Sequence, residues 1–177
     1  MLASPSKQPA LAAMAMAAVV TSNAVHAQLG APPPQKIVDF VNKQFDDFFA
    51  DCESFVDSFR DGFLWCNAEP CFRNRAKLLK VCKNTEGVSN TVHGDLVLKP
   101  ASFPTPPNWE EFAIDGQQTV CLSLGAGPAV PLCFDFTITE KVEPFEDAPF
   151  GIKSKEWKGY YNLNVGTRPG FDPVVCA

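Results

Sequence analysis

From Ile37 to Trp65 the apolar residues return at Val41, Phe45, Phe48, Cys52, Phe55, Phe59 and Phe63, in steps of three and four. That period marks one face of a helix. No proline or glycine interrupts it before Gly62, and Asp39, Asp46, Asp47, Asp51, Glu53, Asp57 and Asp61 make its other side acidic. Asn67 to Pro70 then reads as a turn, since proline cannot continue a helix. A second helix is predicted from Cys71 to about Lys83, and it is basic through Arg73, Arg75, Lys77, Lys80 and Lys83. An acidic helix followed by a basic one predicts an antiparallel helical hairpin with complementary charge.

The second half changes period. Asp95-Leu-Val-Leu98 is a short strand closed by Pro100, and Pro104, Pro106 and Pro107 make the next stretch irregular. Val120, Leu122 and Leu124 alternate with polar or small neighbours, and after Gly125-Ala-Gly-Pro128 the alternation resumes at Leu132, Phe134 and Phe136. Alternation on both sides of a glycine-rich turn predicts a β-hairpin with its apolar residues on one face. Glu140 to Lys155 reads as a charged loop, and Trp157 to Val165 as a last strand. Helices first and strands after predict an α+β fold. The expected architecture is a disulfide-linked N-terminal helical hairpin (35–83) followed by an antiparallel β-sheet of about four strands (88–170).

The start of the chain sets the compartment. Residues 1–27 read as a secretory signal peptide: Lys7, an apolar run from Ala10 to Val20, and Val25-His26-Ala27 before the expected cleavage. The run is shorter than the roughly 20 residues a membrane-crossing helix needs. A single mature domain, 28–177, is expected to be soluble and extracellular, where cysteines are normally bridged. The formal charge of −5 argues against a nucleic-acid partner, which calls for a basic stripe.

The chain has seven cysteines. On the expected helices, Cys52 and Cys66 share one face and Cys71 and Cys82 share another, which favours nested bridges Cys66–Cys71 and Cys52–Cys82. Four cysteines allow three pairings, so this is a geometric preference. The helical distances, ~21 Å and ~16 Å, differ by about one turn. Folding the β-hairpin at its glycines brings Cys121 and Cys133 nearly opposite, as a third candidate bridge. Cys176 is left over as a free thiol or a link to a second chain, a disulfide-linked dimer being the expectation it raises.

Catalytic chemistry is sparsely supplied. After cleavage His93 is the only histidine left, and no Gly-x-Ser-x-Gly elbow occurs. A hydrolase would have to use His93 as its base. The acids Asp46, Asp47, Asp51 and Glu53 read as a solvated helix face in preference to a calcium site, because no EF-hand loop surrounds them. No metal and no cofactor is expected.

Phe45, Phe48, Phe55, Phe59 and Phe63 admit two readings, packed core or the wall of a pocket for an apolar ligand. Cys121-Leu-Ser-Leu-Gly-Ala-Gly-Pro-Ala-Val-Pro-Leu-Cys133-Phe-Asp-Phe, with the later Tyr161-Asn-Leu-Asn-Val-Gly, resembles a family of secreted, cysteine-containing β domains of unknown function found in arthropods. The likeness spans about Lys80 to Gly170 and implies a secreted β-rich module without a known activity. Val92-His-Gly-Asp-Leu with Phe103-Pro-Thr-Pro is similar to secreted lipid-recognition sandwiches, whose cysteine framework is absent here. The sequence therefore predicts a secreted, disulfide-stabilised, non-enzymatic protein that acts by binding an unknown protein partner or as extracellular structural material. The alternatives are a carrier of a small apolar ligand or lipid, and an extracellular hydrolase.

Overall fold

The structure, a computed structural model, describes residues 32–67, 71–85, 90–101, 108–122 and 130–164. The expected leader, the Gly125–Pro128 turn and Cys176 lie outside the described residues. The elements are α1 (Gln35–Ala50), α2 (Cys52–Asp57), β1 (Phe59–Asn67), α3 (Arg75–Lys83), β2 (Asn90–Pro100), β3 (Glu111–Leu122), β4 (Val130–Pro144) and β5 (Ile152–Asn164). The strands form one five-stranded sheet in the order β1-β5-β4-β3-β2. Neighbouring strands run antiparallel except β1, which lies parallel to β5 at one edge. The α+β class stands, but the sheet is mixed and has one strand more than expected.

The long helix expected over 37–65 is three elements. Asp51 leaves helical geometry at φ −147° and ψ 84°, ending α1. Its carboxylate accepts the Ser54 N–H at 3.1 Å and starts α2 afresh. After Ser58 the chain is extended. Phe59 and Phe63 keep their spacing of four in a strand as well, because an even spacing also returns a side chain to one face of a strand. Both are fully buried on β1. Gly62 takes φ +74° there, and the pairing with β5 shifts register between Phe59 and Leu64.

The predicted helical hairpin is thus a strand followed by a helix. Trp65 and Phe72 exchange backbone hydrogen bonds of 2.9 Å in both directions, and α3 begins only at Arg75, where the Asn74 side chain accepts from Lys77 N–H. Both nested bridges are nevertheless present. Cys52–Cys82 joins α2 to α3, and Cys66–Cys71 closes the short loop after β1. The complementary charge is also realised, through Arg75 with Asp57 and Lys83 with Glu53.

The Cys121–Cys133 bridge is not formed. Cys133 is a free thiol, whereas Cys121 is disulfide-bonded. In the hairpin register Cys121 faces Pro131 and Thr119 faces Cys133. Diagonal neighbours two positions apart lie about 7–8 Å from each other, beyond the ~7 Å limit for a disulfide.

The expected loop over 140–155 is mostly strand. β4 continues to Pro144 with Phe136, Ile138, Glu140 and Val142 all buried in strict alternation, and β5 begins at Ile152. This inward face of the sheet carries the core. Phe112 and Ile114 from β3 join it from one side, and Ile37, Val38, Phe40 and Val41 of α1 lie across it.

Candidate functional site

The helices do not fill the inner face of the sheet. A cavity of about 330 Å³ remains between α1, α2 and strands β3, β4 and β5. On the helical side its wall is Phe45, Phe48 and Phe49 of α1 with Phe55 of α2. These rings hold one another: Phe48 meets Phe49 and Phe55 edge-on at 4.8 and 4.9 Å between centroids. On the sheet side the wall is Val120, Phe134, Phe136, Ile138, Trp157 and Tyr161. Phe45 stacks over Phe136 at 5.7 Å, closing one flank. Trp157 lies parallel to Trp65 of β1 at 5.2 Å, which fixes its plane from behind.

Of the five phenylalanines singled out in the sequence, Phe45, Phe48 and Phe55 border the cavity, whereas Phe59 and Phe63 are fully buried core. The split follows from the end of α2: Phe55 is still helical, whereas the chain is extended after Ser58. Phe59 and Phe63 belong to a strand, and they pack on one another at 5.1 Å and on Phe55 through Phe59.

Polar groups enter the lining at few points. Asn67, Thr85 and Gln118 line it, together with Gln44 of α1. Gln44 is 2% exposed. Its Nε2 donates to Ser58 Oγ at 3.0 Å and to Glu140 Oε1 at 3.1 Å. Ser58 in turn donates to the Phe55 carbonyl at 2.6 Å, so its oxygen is free to accept from Gln44. That arrangement fixes the amide: both N–H groups are used, and the carbonyl Oε1 is the remaining face.

Glu140 is the residue the sequence reading missed. It is wholly buried on β4, between Phe112 of β3 and Trp157 of β5 in register. Burial pushes its carboxyl up to about 7, against the opposite pull of the nearby Ser154 hydroxyl and the Gln44 amide. Ser154 is close enough to favour the charged form but short of a well-formed bond. Among the described residues, Glu140 Oε2, Ser154 Oγ and Gln44 Oε1 are buried without a hydrogen-bond partner. A carboxyl in this state can give or take a proton near neutral pH. One signal for it was present in the sequence. Phe134, Phe136, Ile138 and Val142 alternate inward, and Glu140 falls on the same face, so a charge in that series must be buried.

The other candidates have structural partners. Asp47 accepts from Ser54 Oγ at 2.6 Å and pairs with Lys43, Asp51 caps α2, and Glu53 pairs with Lys83. Burial and then repulsion from Asp47 raise the Asp46 carboxyl above its ordinary value. His93 has its backbone on β2 opposite Gln117, and its side chain lies outside the described residues. Desolvation drives the Tyr161 hydroxyl well above the ordinary tyrosine range, so it stays neutral in the cavity wall.

No family model and no curated protein matches this chain. Solved structures do match in fold. The hub of CaMKII from S. rosetta superposes with a TM-score of 0.55 at 10% identity, over 76% of this chain and all of that one. The epoxide hydrolase/cyclase-like enzyme SalBIII of pyran ring formation in polyether salinomycin gives 0.54 at 14% identity, covering 72% of this chain and 92% of its own. A SnoaL-like protein from Shewanella putrefaciens gives 0.53 at 8%, over 73% and 80%. The fold is shared with solved enzymes. Identities this low show the fold alone, and the correction to the expectation of a non-enzymatic protein goes that far: the fold is one that solved enzymes have. That expectation followed from the shortage of histidine, and it overlooked the buried carboxyl of Glu140.

Proposed function

We propose that this chain binds a small, largely apolar molecule in the cavity between α1, α2 and the sheet. The observation that carries this reading is the cavity itself: about 330 Å³ walled by aromatic rings, with a few polar groups at fixed places. Ligand pockets run from roughly 300 to 1,000 Å³ and are lined in this way. The bridges Cys52–Cys82 and Cys66–Cys71 support an oxidising, extracellular setting. No described helix is long and apolar enough to cross a membrane. Native mass spectrometry of the protein isolated from its secreting cells, with lipid-extract analysis, tests the reading directly. The expected result is a bound apolar species that Val120→Trp, which fills the cavity, no longer carries. A wild-type protein that is empty and takes up no apolar fluorophore refutes it.

One observation favours chemistry on the bound molecule as well. Glu140, titrating at about 7, lies directly behind the pocket residue Gln44. If Gln44 swings aside, the carboxylate becomes a base at the end of an apolar pocket. Proton abstraction next to a carbonyl is the simplest reaction such a base supports. Deuterium exchange at the α-carbon of 2-tetralone in D2O, followed by NMR, tests this. Exchange should exceed the buffer rate in the wild type and return to it in Glu140→Gln. Equal rates in both proteins dispose of the catalytic reading and leave the binding reading intact.

A further inference from the structure

We infer that Gly159 and Gly116 set the depth of the cavity and select a flat, fused-ring ligand of two to three rings; the inference rests on the binding reading above. Three rings of the sheet wall lie down over these two glycines. A Cβ at Gly159 would stand 2.9 Å from the Trp157 ring and 2.9 Å from the Tyr161 ring. A Cβ at Gly116 would stand 2.3 Å from Cζ of Phe136 and 2.8 Å from Leu96. Contacts that short do not occur, so any side chain at either position must lift the rings.

The direction of that lift is constrained. Trp157 cannot retreat toward β1, because Trp65 is stacked 5.2 Å behind it. Phe136 is flanked by Phe45 at 5.7 Å and Tyr161 at 6.3 Å. Strand pairing holds the backbones beneath: Gly116 is opposite Phe136, and Gly159 is opposite Ile138. The remaining free space is the cavity that Phe136, Trp157 and Tyr161 border. The two missing side chains therefore convert standing rings into a floor.

Size and shape follow from this. An apolar cavity of about 150 Å³ accommodates benzene. The present cavity, at about 330 Å³, is roughly twice that. The walls are ring faces and edges, which favour a flat partner in offset or edge-on contact.

The test uses the intact, disulfide-bonded protein and two fluorescent probes, 1-naphthylamine with two rings and 1-aminoanthracene with three. The wild type is expected to bind both. Gly159→Ala is expected to weaken 1-aminoanthracene about tenfold or more while changing 1-naphthylamine less than threefold. Adding Trp157→Phe to that variant should restore the larger probe, because it removes the bulk that was raised. Gly116→Ala, with Phe136→Leu as its rescue, repeats the test on the neighbouring strand. If both probes lose affinity by the same factor in both alanine variants, or neither does, the inference is overturned and the binding reading remains. A wild type that binds neither probe overturns both. Should Gly159→Ala fail to fold, the Gly116 pair decides by the same criteria.

Discussion

Glu140 carries a consequence for stability that needs no ligand to observe. In the unfolded chain its carboxyl ionises near the ordinary value of 4.5, whereas in the fold it ionises at about 7. Between those values the folded protein holds a proton that the unfolded chain has released. Stability from this group is therefore complete at low pH, falls as pH rises from about 4.5 to 7, and is level above. The total is about 3 kcal/mol, at roughly 1.4 kcal/mol per unit. Glu140→Gln keeps the shape and cannot ionise. Its stability relative to the wild type should rise by most of that amount between pH 5 and pH 8, measured by urea denaturation with the bridges intact. Asp46, also raised, titrates in both proteins and cancels in the comparison. Parallel stability profiles would mean that Glu140 is solvated or otherwise partnered.

At the level of elements, the sequence was informative wherever a period had one interpretation. The alternation in β4 and the steps of three and four in α1 are both legible, and each led to the right element over part of its length. Phe59 and Phe63 were not, because a spacing of four satisfies a helix and a strand alike. The Asp51-Cys-Glu-Ser54 start signal, an aspartate placed to cap a new helix, marks only the break between α1 and α2. The first part of β3, before Val120, was hidden for a different reason. Its inward positions run Phe112, Ile114, Gly116 and Gln118, so a glycine and an amide interrupt the apolar series where the cavity lies. The features that make the site are thus the ones that weaken the strand pattern.

The bridges belong to this level too. Cys52 and Cys82 are 30 residues apart, so on the loop-entropy model their bridge contributes roughly 3–4 kcal/mol. Cys66–Cys71 spans only five residues and contributes about 2 kcal/mol on the same model. The paired variant Cys52→Ala/Cys82→Ala should lose more stability than Cys66→Ala/Cys71→Ala, and urea midpoints at constant slope will show it. Alkylation of the folded protein under non-reducing conditions should tag Cys133 and spare Cys52, Cys66, Cys71, Cys82 and Cys121. A tagged Cys121 would overturn the assignment of that residue as bridged.

For the whole molecule, the open question is why a chain with this many phenylalanines leaves space beside its core. α1 is anchored to the sheet at one end by Ile37, Val38, Phe40 and Val41, and α2 is tied to α3 by a disulfide. The helices therefore cannot close onto β3 and β4 near Phe134 and Val120, and the rings there face a void. An unfilled apolar void forfeits dispersion contacts, so an occupant should stabilise the fold by mass action. At a free ligand concentration of 100 times Kd the gain is about 2.7 kcal/mol. For a chain of this size each kcal/mol moves Tm by about 2–4 °C. Saturating 1-aminoanthracene should thus raise Tm by about 5–10 °C in the wild type. Val120→Trp, with the cavity filled from within, should show no ligand-dependent shift. A shift of equal size in that variant would place the bound probe elsewhere on the protein.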